Sequence, residues 1–370
     1  MNLLDRLGKR LAVFGIAALC FGYFACYVPY SMMTKMITKG LFAGMGGKGV
    51  DGFIILPATV FASFVSMYLF LTLSGWWKYT KKKNIFGFQI PWPRWFTFIS
   101  GLCTAGVIVT TTLAYTFSGV SIVFAMLLMR GGVLVMAPVV DLIAHKRKRA
   151  IYWPSWVAAA LSFSALFVAF SKKETALTVI AAFDISFYLL SYFLRLLIMS
   201  NAAKSVDAAE KKTYFTEEQM VANPALFAGL IVVGLIGSTM PAETLPNIVW
   251  RGFVEFPFSG FFWQAFLIGV FSYGTGLFGS LIFLDRRENT FTVPANRSAS
   301  VIAGVGATYF LAKFYGQKPL PADELLGVAL ILAAIFFLAY RSVVEKKLKK
   351  QRELFPELVP QPLVQQAVEN

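Results

Sequence analysis

Long apolar segments follow one another along almost the whole chain, and they constrain its fold more than any other feature. One helix needs about 20 consecutive apolar residues to cross the hydrocarbon core of a bilayer. By that measure the sequence contains ten predicted crossings, at residues 11–33, 53–77, 95–117, 119–143, 153–171, 175–199, 223–240, 260–284, 290–314 and 323–341. We therefore predict an all-α integral membrane protein with ten transmembrane helices.

Composition supports this prediction and excludes several classes of function. The chain is 57% hydrophobic, which no soluble domain of this size needs. The net charge of +15 comes from Lys and Arg in short links between apolar segments, so we do not expect nucleic acid as a partner. The single histidine, His145, and the three cysteines, Cys20, Cys26 and Cys103, give no pattern for a metal site, a disulfide or a nucleophilic triad. We expect no cofactor and no enzymatic activity.

The basic residues also predict the orientation of the chain. The N-terminal tail, the links containing residues 81–83 and 146–149, and the C-terminal tail around 346–350 carry the excess of Lys and Arg, which places both termini in the cytoplasm. The link 200–222 would then be the longest cytoplasmic one. The outer link 239–260 is rich in aromatic residues, which predicts a re-entrant or short amphipathic element. In a bacterium, the cytoplasmic (inner) membrane would be the expected location.

The two halves of the chain resemble each other weakly. Residues 9–24 can be laid over residues 172–188, and nearly the same shift, about 165 residues, brings Arg130 close to Arg297. Matches at one offset indicate an internal repeat. We predict a first five-helix repeat, a second one and a charged, partly disordered cytoplasmic tail, at residues 1–171, 172–341 and 342–370.

Five crossings per repeat is an odd number, so the two repeats must lie in opposite orientation across the membrane. Inverted repeats of this kind build alternating-access transporters, in which the substrate binds near the midplane between the repeats.

Two predicted crossings contain an arginine. Arg130 lies near the middle of the crossing 119–143, and Arg297 follows Asn296 near the start of the crossing 290–314. An arginine at the bilayer centre costs about 2.5–3.5 kcal/mol on insertion scales, so it normally faces protein or a watery cavity. The two guanidinium groups are at similar depth, and we predict that they face one cavity. The alternative is that each pairs with a carboxylate and only fixes helix packing.

A polar stripe runs along the predicted crossing 175–199. Its members recur at helical spacing and share one face: Asp184, Tyr188, Ser191, Tyr192 and Arg195. We predict that the two tyrosines contact substrate. Because burial disfavours a charged carboxylate, Asp184 can take up a proton and couple transport to a proton gradient, with Arg195 in coupling or gating. The alternatives are that Asp184 is the counter-ion of one of the two buried arginines and that Arg195 reaches to the cytoplasmic edge.

The predicted crossing 260–284 offers two further candidates for substrate contact, Gln264 and Tyr273. It also carries small residues four positions apart, namely Ser272, Gly276 and Ser280. Such spacing is typical of helices that approach each other closely, and close packing explains it without a ligand.

The last two predicted crossings, SASVIAGVGATYFLAKFYGQKPLPADELLGVALILAAIFFLAY, resemble the final helix pair of the drug/metabolite transporter superfamily. The resemblance covers residues 9–341, and larger members have ten helices in two inverted repeats. The segment VPANRSAS is similar to the Asn-Lys motif of nucleotide-sugar transporters. These transporters form one branch of the superfamily, beside the EamA-like and phosphate-ester branches. The resemblance implies that Asn296 and Arg297 contact the substrate, and that Arg130 and Arg297 clamp a phosphate or carboxylate.

These features predict a secondary transporter that moves a small anionic or phosphorylated metabolite by alternating access through a central cavity. The cavity would be lined by the crossings 119–143, 175–199, 260–284 and 290–314. One alternative is an exporter of drug-like or amino-acid solutes, in which aromatic walls bind the solute and the arginines are structural. Another is a flippase for lipid headgroups. Apart from the substrate, membrane lipid is the expected partner.

Overall fold

The computed structural model describes residues 3–85, 87–114, 122–143, 153–170, 179–203, 208–285 and 289–354. These residues form eleven α-helices, one β-hairpin and two short 3-10 turns, Trp76–Tyr79 and Phe256–Phe258. The helices are α1 (Leu3–Thr38), α2 (Gly52–Leu73), α3 (Trp95–Ala114), α4 (Ile122–Ile143), α5 (Trp153–Phe170), α6 (Val179–Ala202), α7 (Ala208–Gly237), α8 (Leu245–Val254), α9 (Phe262–Phe283), α10 (Asn289–Tyr315) and α11 (Ala322–Leu354).

Six of these helices are long and apolar enough to cross a membrane: α2, α3, α6, α7, α9 and the part of α1 after its kink at Gly15. They agree with the prediction of an all-α integral membrane protein. Each of the ten predicted crossings overlaps a helix of 18 residues or more, but the count of ten crossings and the repeat arrangement stay predictions. The predicted boundary between the repeats, at residues 171 and 172, lies outside the described residues, and so does the tail after residue 354.

Helix α7 begins much earlier than the crossing predicted at 223–240. Its 30 residues extend for about 45 Å at 1.5 Å per residue, longer than the hydrocarbon core of about 30 Å. Two ion pairs hold its polar first half against neighbouring elements: Glu217 pairs with Arg94, and Glu218 pairs with Arg195. The predicted link 200–222 is therefore largely helical.

The outer link predicted at 239–260 contains the short helix α8, in agreement with the expected short element. The side-chain amide of Asn247 donates to the carbonyl oxygens of Gly237 (2.9 Å) and Met240 (3.1 Å). These bonds satisfy backbone acceptors at and just beyond the end of α7, which lack helical partners. They also hold α8 against that end.

A β-hairpin in the basic link after α2 has no counterpart in the sequence prediction. Strand β1 (Lys82–Ile85) pairs antiparallel with β2 (Phe88–Pro91), with Lys83 opposite Ile90. Gly87 has a φ of +83°, a conformation that glycine adopts without steric cost. Each strand has only four residues, too few for their alternation to be distinguished from a charged loop.

The long helices pack in reciprocal sets. Helix α1 packs against α9 and α10, and α6 packs against α3 and α4. Likewise α2 packs against α9 and α7 against α3, while α4 pairs with α10 and α5 with α11. Polar and charged side chains are buried at the centre of this arrangement, where α1, α4, α6 and α10 meet. This central polar region is the natural place to look for a site.

The contact between α2 and α9 depends on Gly269. A Cβ atom there would overlap the backbone carbonyl of Thr59 and the side chain of Ala62, whereas a Cβ on Gly276, two turns later on α9, meets open space. We expect Gly269→Ala to destabilise the protein by about 1–3 kcal/mol through overpacking. Gly276→Ala should be neutral or stabilise by up to about 1 kcal/mol, because alanine favours helix. Melting temperatures in detergent measure both effects, and equal values for the two variants would contradict this packing.

Candidate functional site

The hydroxyl oxygen of Tyr188 lies between two arginines. Arg130 of α4 donates a hydrogen bond from Nη1 to this oxygen, and Arg297 of α10 donates to it from Nη1 at 3.3 Å. Arg130 also donates from Nη2 to the hydroxyl of Tyr27 on α1. All four side chains belong to residues that are at most 2% exposed. The structure therefore brings the two sequence-predicted arginines together with Tyr188 in the protein interior.

Aromatic rings surround both guanidinium groups. The Cζ atom of Arg297 lies 4.6 Å from the ring centroid of Tyr192 and 5.5 Å from that of Phe283. The Cζ atom of Arg130 lies 5.3 Å from the ring centroids of both Tyr27 and Tyr188. The negative faces of such rings attract cations, so they offset part of the cost of burying two like charges near each other.

Arg297 has donors that the protein does not use. Its Nε and Nη2 atoms are buried without a hydrogen-bond partner, and so are both polar atoms of the neighbouring Asn296 side chain. Among the described residues, no acidic side chain forms an ion pair with Arg297. Buried charged donors without partners are costly, because they have lost their hydration. For Arg297, the alternative of a purely structural ion pair thus has no partner in the described part of the chain.

Arg195 is different, because a carboxylate neutralises it. Its Nε and Nη2 atoms donate to the two carboxylate oxygens of Glu218 at 2.9 and 2.8 Å, and Nη2 also donates to Oγ of Ser280 at 2.7 Å. Ser100 donates a further hydrogen bond to Glu218 at 2.6 Å. Arg195 is 3% exposed, so its guanidinium lies inside the protein and not at its surface. This network joins α6 to α3, α7 and α9.

Asp184 lies one helical turn before Tyr188 on the same face of α6 and is 5% exposed. Its Oδ2 atom is buried without a hydrogen-bond partner. Within the described ranges it forms no ion pair with Arg130 or Arg297, so the proposed counter-ion role finds no contact there.

A cavity of about 50 Å³ lies next to the arginine cluster, between α1, α3, α4, α6 and α9. Arg130, Tyr192 and Arg195 line it, whereas Arg297 lies directly behind the rings of Tyr192 and Phe283. The volume is sufficient for roughly three water molecules and too small for a phosphorylated metabolite. The cavity next to the arginines therefore has no room for a substrate of that size.

Two helices that were not predicted to line the cavity, α1 and α3, contribute residues to it. Tyr23, Tyr27 and Tyr30 of α1 recur at i, i+4 and i+7, and Thr104 and Thr111 of α3 are also seven residues apart. The same polar stripe spacing that identified Tyr188 and Tyr192 was therefore present in both helices. Of the four crossings predicted to line the cavity, 290–314 provides no lining residue, and its Arg297 lies behind the rings of Tyr192 and Phe283.

The candidates on α9 have different positions from those expected. Neither Gln264 nor Tyr273 lines the cavity. Gln264 lies near the start of α9, about 18 Å along the axis before Gly276. The Tyr273 hydroxyl is buried without a partner, and its ring lies 6.3 Å from that of Phe70. Instead, Ser272, Gly276 and Ser280 line the cavity. Their small side chains therefore leave space for the cavity and do not serve close helix packing alone.

Within the described ranges, no group of three or more His, Cys, Asp or Glu side chains is arranged to hold a metal ion. None of the three cysteines forms a disulfide. The central region offers guanidinium, phenol, hydroxyl, amide and carboxyl groups, which bind by hydrogen bonding and charge.

Comparison with known proteins adds little to this geometry. No protein-family model matches the sequence, and no curated protein matches it. Among solved structures, one described as "Crystal structure of protein" aligns with 88% of this chain and 99% of its own, at 13% identity and a TM-score of 0.45. A likeness at this level carries no argument, so the resemblance to the drug/metabolite transporter superfamily stays a prediction from sequence.

Removal of the shared hydroxyl tests the arginine cluster. Tyr188→Phe deletes an acceptor that two guanidinium groups use, and we expect a loss of stability of about 1–3 kcal/mol. Tyr273→Phe is the matched control, because the hydroxyl that it deletes is buried without a partner. We expect that variant to be neutral or slightly more stable. Thermal unfolding in detergent compares them, and a larger loss for Tyr273→Phe would show that the hydroxyl of Tyr188 is not shared.

Proposed function

We propose that the protein is a secondary transporter for a small anionic or phosphorylated metabolite, which binds at the cluster of Arg130, Tyr188 and Arg297. The observation that carries the proposal is the sharing of one neutral hydroxyl by two buried arginines, with unused donors on Arg297. A site with this donor surplus favours a ligand that brings negatively charged acceptors. Phosphate and carboxylate groups match the fork geometry of arginine.

Binding would exchange one acceptor for a better one. Hydrogen bonds from a guanidinium to an anionic oxygen are about twice as strong as bonds between neutral groups. An incoming anion therefore displaces the Tyr188 hydroxyl from the arginines, and Tyr188 serves as a neutral substitute when no substrate is bound. The side-chain carbonyl and NH2 group of Asn296 are buried without hydrogen-bond partners, so they would bind a hydroxyl or amide group of the same ligand.

The small cavity fits a transport cycle in which it enlarges and opens alternately to each side. For a metabolite to reach Arg297, the rings of Tyr192 and Phe283 must move away, because Arg297 lies behind them. The pair of Arg195 with Glu218 and Ser280 closes one part of the cavity wall and would open or re-form during such a movement. This gives Arg195 a gating role rather than a contact with substrate.

Ten crossings in two inverted repeats remain part of the proposal. The reciprocal packing supports it: if α1 to α5 correspond in order to α6, α7, α9, α10 and α11, the contact of α1 with α9 maps onto that of α6 with α3. The contact of α2 with α9 maps in the same way onto that of α7 with α3. In a bacterial cell, the inner membrane would be the location of such a carrier.

The aromatic wall favours one second candidate function. Tyr23, Tyr27, Tyr30, Tyr192 and Phe283 all line the cavity, which suits an exporter of aromatic, drug-like or amino-acid solutes. In that case the arginines would hold the rings in place, and neutral aromatic solutes would compete for transport. A flippase for lipid headgroups would require a lateral opening to lipid, and it would accept phosphate only as part of a lipid.

The arginines can be tested by binding and by transport. We expect phosphorylated or carboxylated metabolites to raise the melting temperature of the purified protein, and neutral ones to have no effect. Arg130→Ala and Arg297→Ala should abolish this shift and lower uptake into proteoliposomes at least tenfold, because each charged hydrogen bond contributes about 1.5–3 kcal/mol. Arg251→Ala is the control: this arginine is 42% exposed and pairs with Glu255 on the surface. Normal uptake by Arg130→Ala and Arg297→Ala would show that neither arginine takes part in transport.

Asp184→Asn tests proton coupling, because asparagine imitates the neutral form of the acid and cannot release a proton. We expect this variant to exchange substrate across a membrane without a gradient at the wild-type rate. It should not accumulate substrate when a pH gradient is imposed. Asp51→Asn is the control, since Asp51 is exposed and caps α2 through a bond from Phe53 that asparagine also accepts. Gradient-driven accumulation by Asp184→Asn would exclude Asp184 from coupling.

A further inference from the structure

An apolar groove lies between the β-hairpin, the start of α3 and the middle of α7. Its volume is about 720 Å³, within the range of small-molecule sites, and every residue that lines it is apolar. The walls include Trp92, Trp95 and Phe98 on one side, and Val221 and Pro224 of α7 on the other. The groove shares no lining residue with the central cavity, so it is a separate site.

The groove lies where the protein would meet the surface of the bilayer. The apolar segment of α3 that can cross a membrane begins at Trp95, directly after the hairpin. Trp92 and Trp95 are 48% and 75% exposed, and tryptophan rings prefer the boundary between headgroups and acyl chains. The bottom of the groove therefore faces acyl chains, and its rim faces headgroups.

The rim of the groove carries positive charge at the hairpin. Lys81, Lys82 and Lys83 are exposed, and the Nζ atom of Lys83 lies 4.9 Å from the ring centroid of Trp92. Because side chains alternate along a strand, Lys81 and Lys83 share one face of the hairpin, and Lys82 lies on the other. No acidic side chain in the described part of the chain forms an ion pair with these three lysines. Arg94, also next to the groove, differs because its Nε atom donates to Glu217 at 2.7 Å. The lysines thus remain available to an anionic headgroup.

We propose that this groove binds one anionic phospholipid, with an acyl chain against Trp95 and Phe98 and its phosphate next to Lys83 and Lys81. An apolar trough beneath a cationic rim is complementary to both halves of such a lipid. A zwitterionic lipid supplies the same chains without the net charge. The proposal goes beyond the transport function and does not depend on it.

Lipid-dependent stability tests the charged rim. In detergent, phosphatidylglycerol should raise the melting temperature of the wild-type protein by about 3 °C more than phosphatidylcholine with the same chains. The variant Lys81→Gln/Lys82→Gln/Lys83→Gln should lose this difference. The control variant, Lys347→Gln/Lys349→Gln/Lys350→Gln, removes the same charge from α11, which packs against α5 and α10. This control should keep the difference between the two lipids. Equal shifts by the two lipids, or an equal loss in both variants, would overturn the proposal.

Quenching of tryptophan fluorescence tests the groove itself. Brominated phosphatidylglycerol should quench the wild-type protein more strongly than brominated phosphatidylcholine, and Trp92→Phe/Trp95→Phe should remove the difference. The hairpin lysine variant should quench equally with both lipids. Equal quenching of the wild-type protein would overturn the proposal. Weak quenching by both lipids in a protein that runs as a dimer would mean that a second copy covers the groove, and would also overturn it.

Discussion

A single phenol oxygen that accepts hydrogen bonds from two guanidinium groups determines much of this structure. Helices α4, α6 and α10 must all reach that oxygen, because Arg130, Tyr188 and Arg297 each come from one of them. Gly132 permits the approach of α4 and α6, since a Cβ there would overlap the side chain of Leu189. The same three helices are joined a second time where α4 and α6 end and α10 begins. There the side-chain amide of Asn289 donates to Asp141 (2.9 Å) and Ser200 (2.5 Å).

The interior treats its cations in two different ways. Arg195 and Arg94 have carboxylate partners on α7, and these pairs hold a polar helix against its neighbours. Arg297 has aromatic rings and a shared hydroxyl instead. Rings and hydroxyls reduce the cost of a buried charge but do not neutralise it. The acids of α7 therefore stabilise the fold, whereas the arginine cluster keeps a positive potential that an anion can use.

The sequence predicted those features that depend on one helix at a time. Apolar length located the long helices, and periodicity placed Tyr188 and Tyr192 on one face of α6. It did not predict the partner of Arg195, because Glu218 belongs to a segment polar enough to be mistaken for a link. Tyr27 was missed although Tyr23, Tyr27 and Tyr30 recur at helical spacing, because residues 11–33 contain no charged side chain that would have drawn attention to this face. Tyr273 and Gln264 do not line the cavity, because polarity within α9 does not reveal which of its faces meets that cavity.

Helix α9 is packed tightly on two sides and borders the cavity on a third. Near Gly269 its backbone touches that of α2, and Oγ of Ser63 donates to the Gly269 carbonyl at 2.8 Å. Further along, Gly274 and Gly279 lie close to Cys26 and Tyr23 of α1, while Gly276 borders the cavity. A displacement of α9 that enlarged the cavity would therefore have to carry α1 with it, so the two helices would move as one unit.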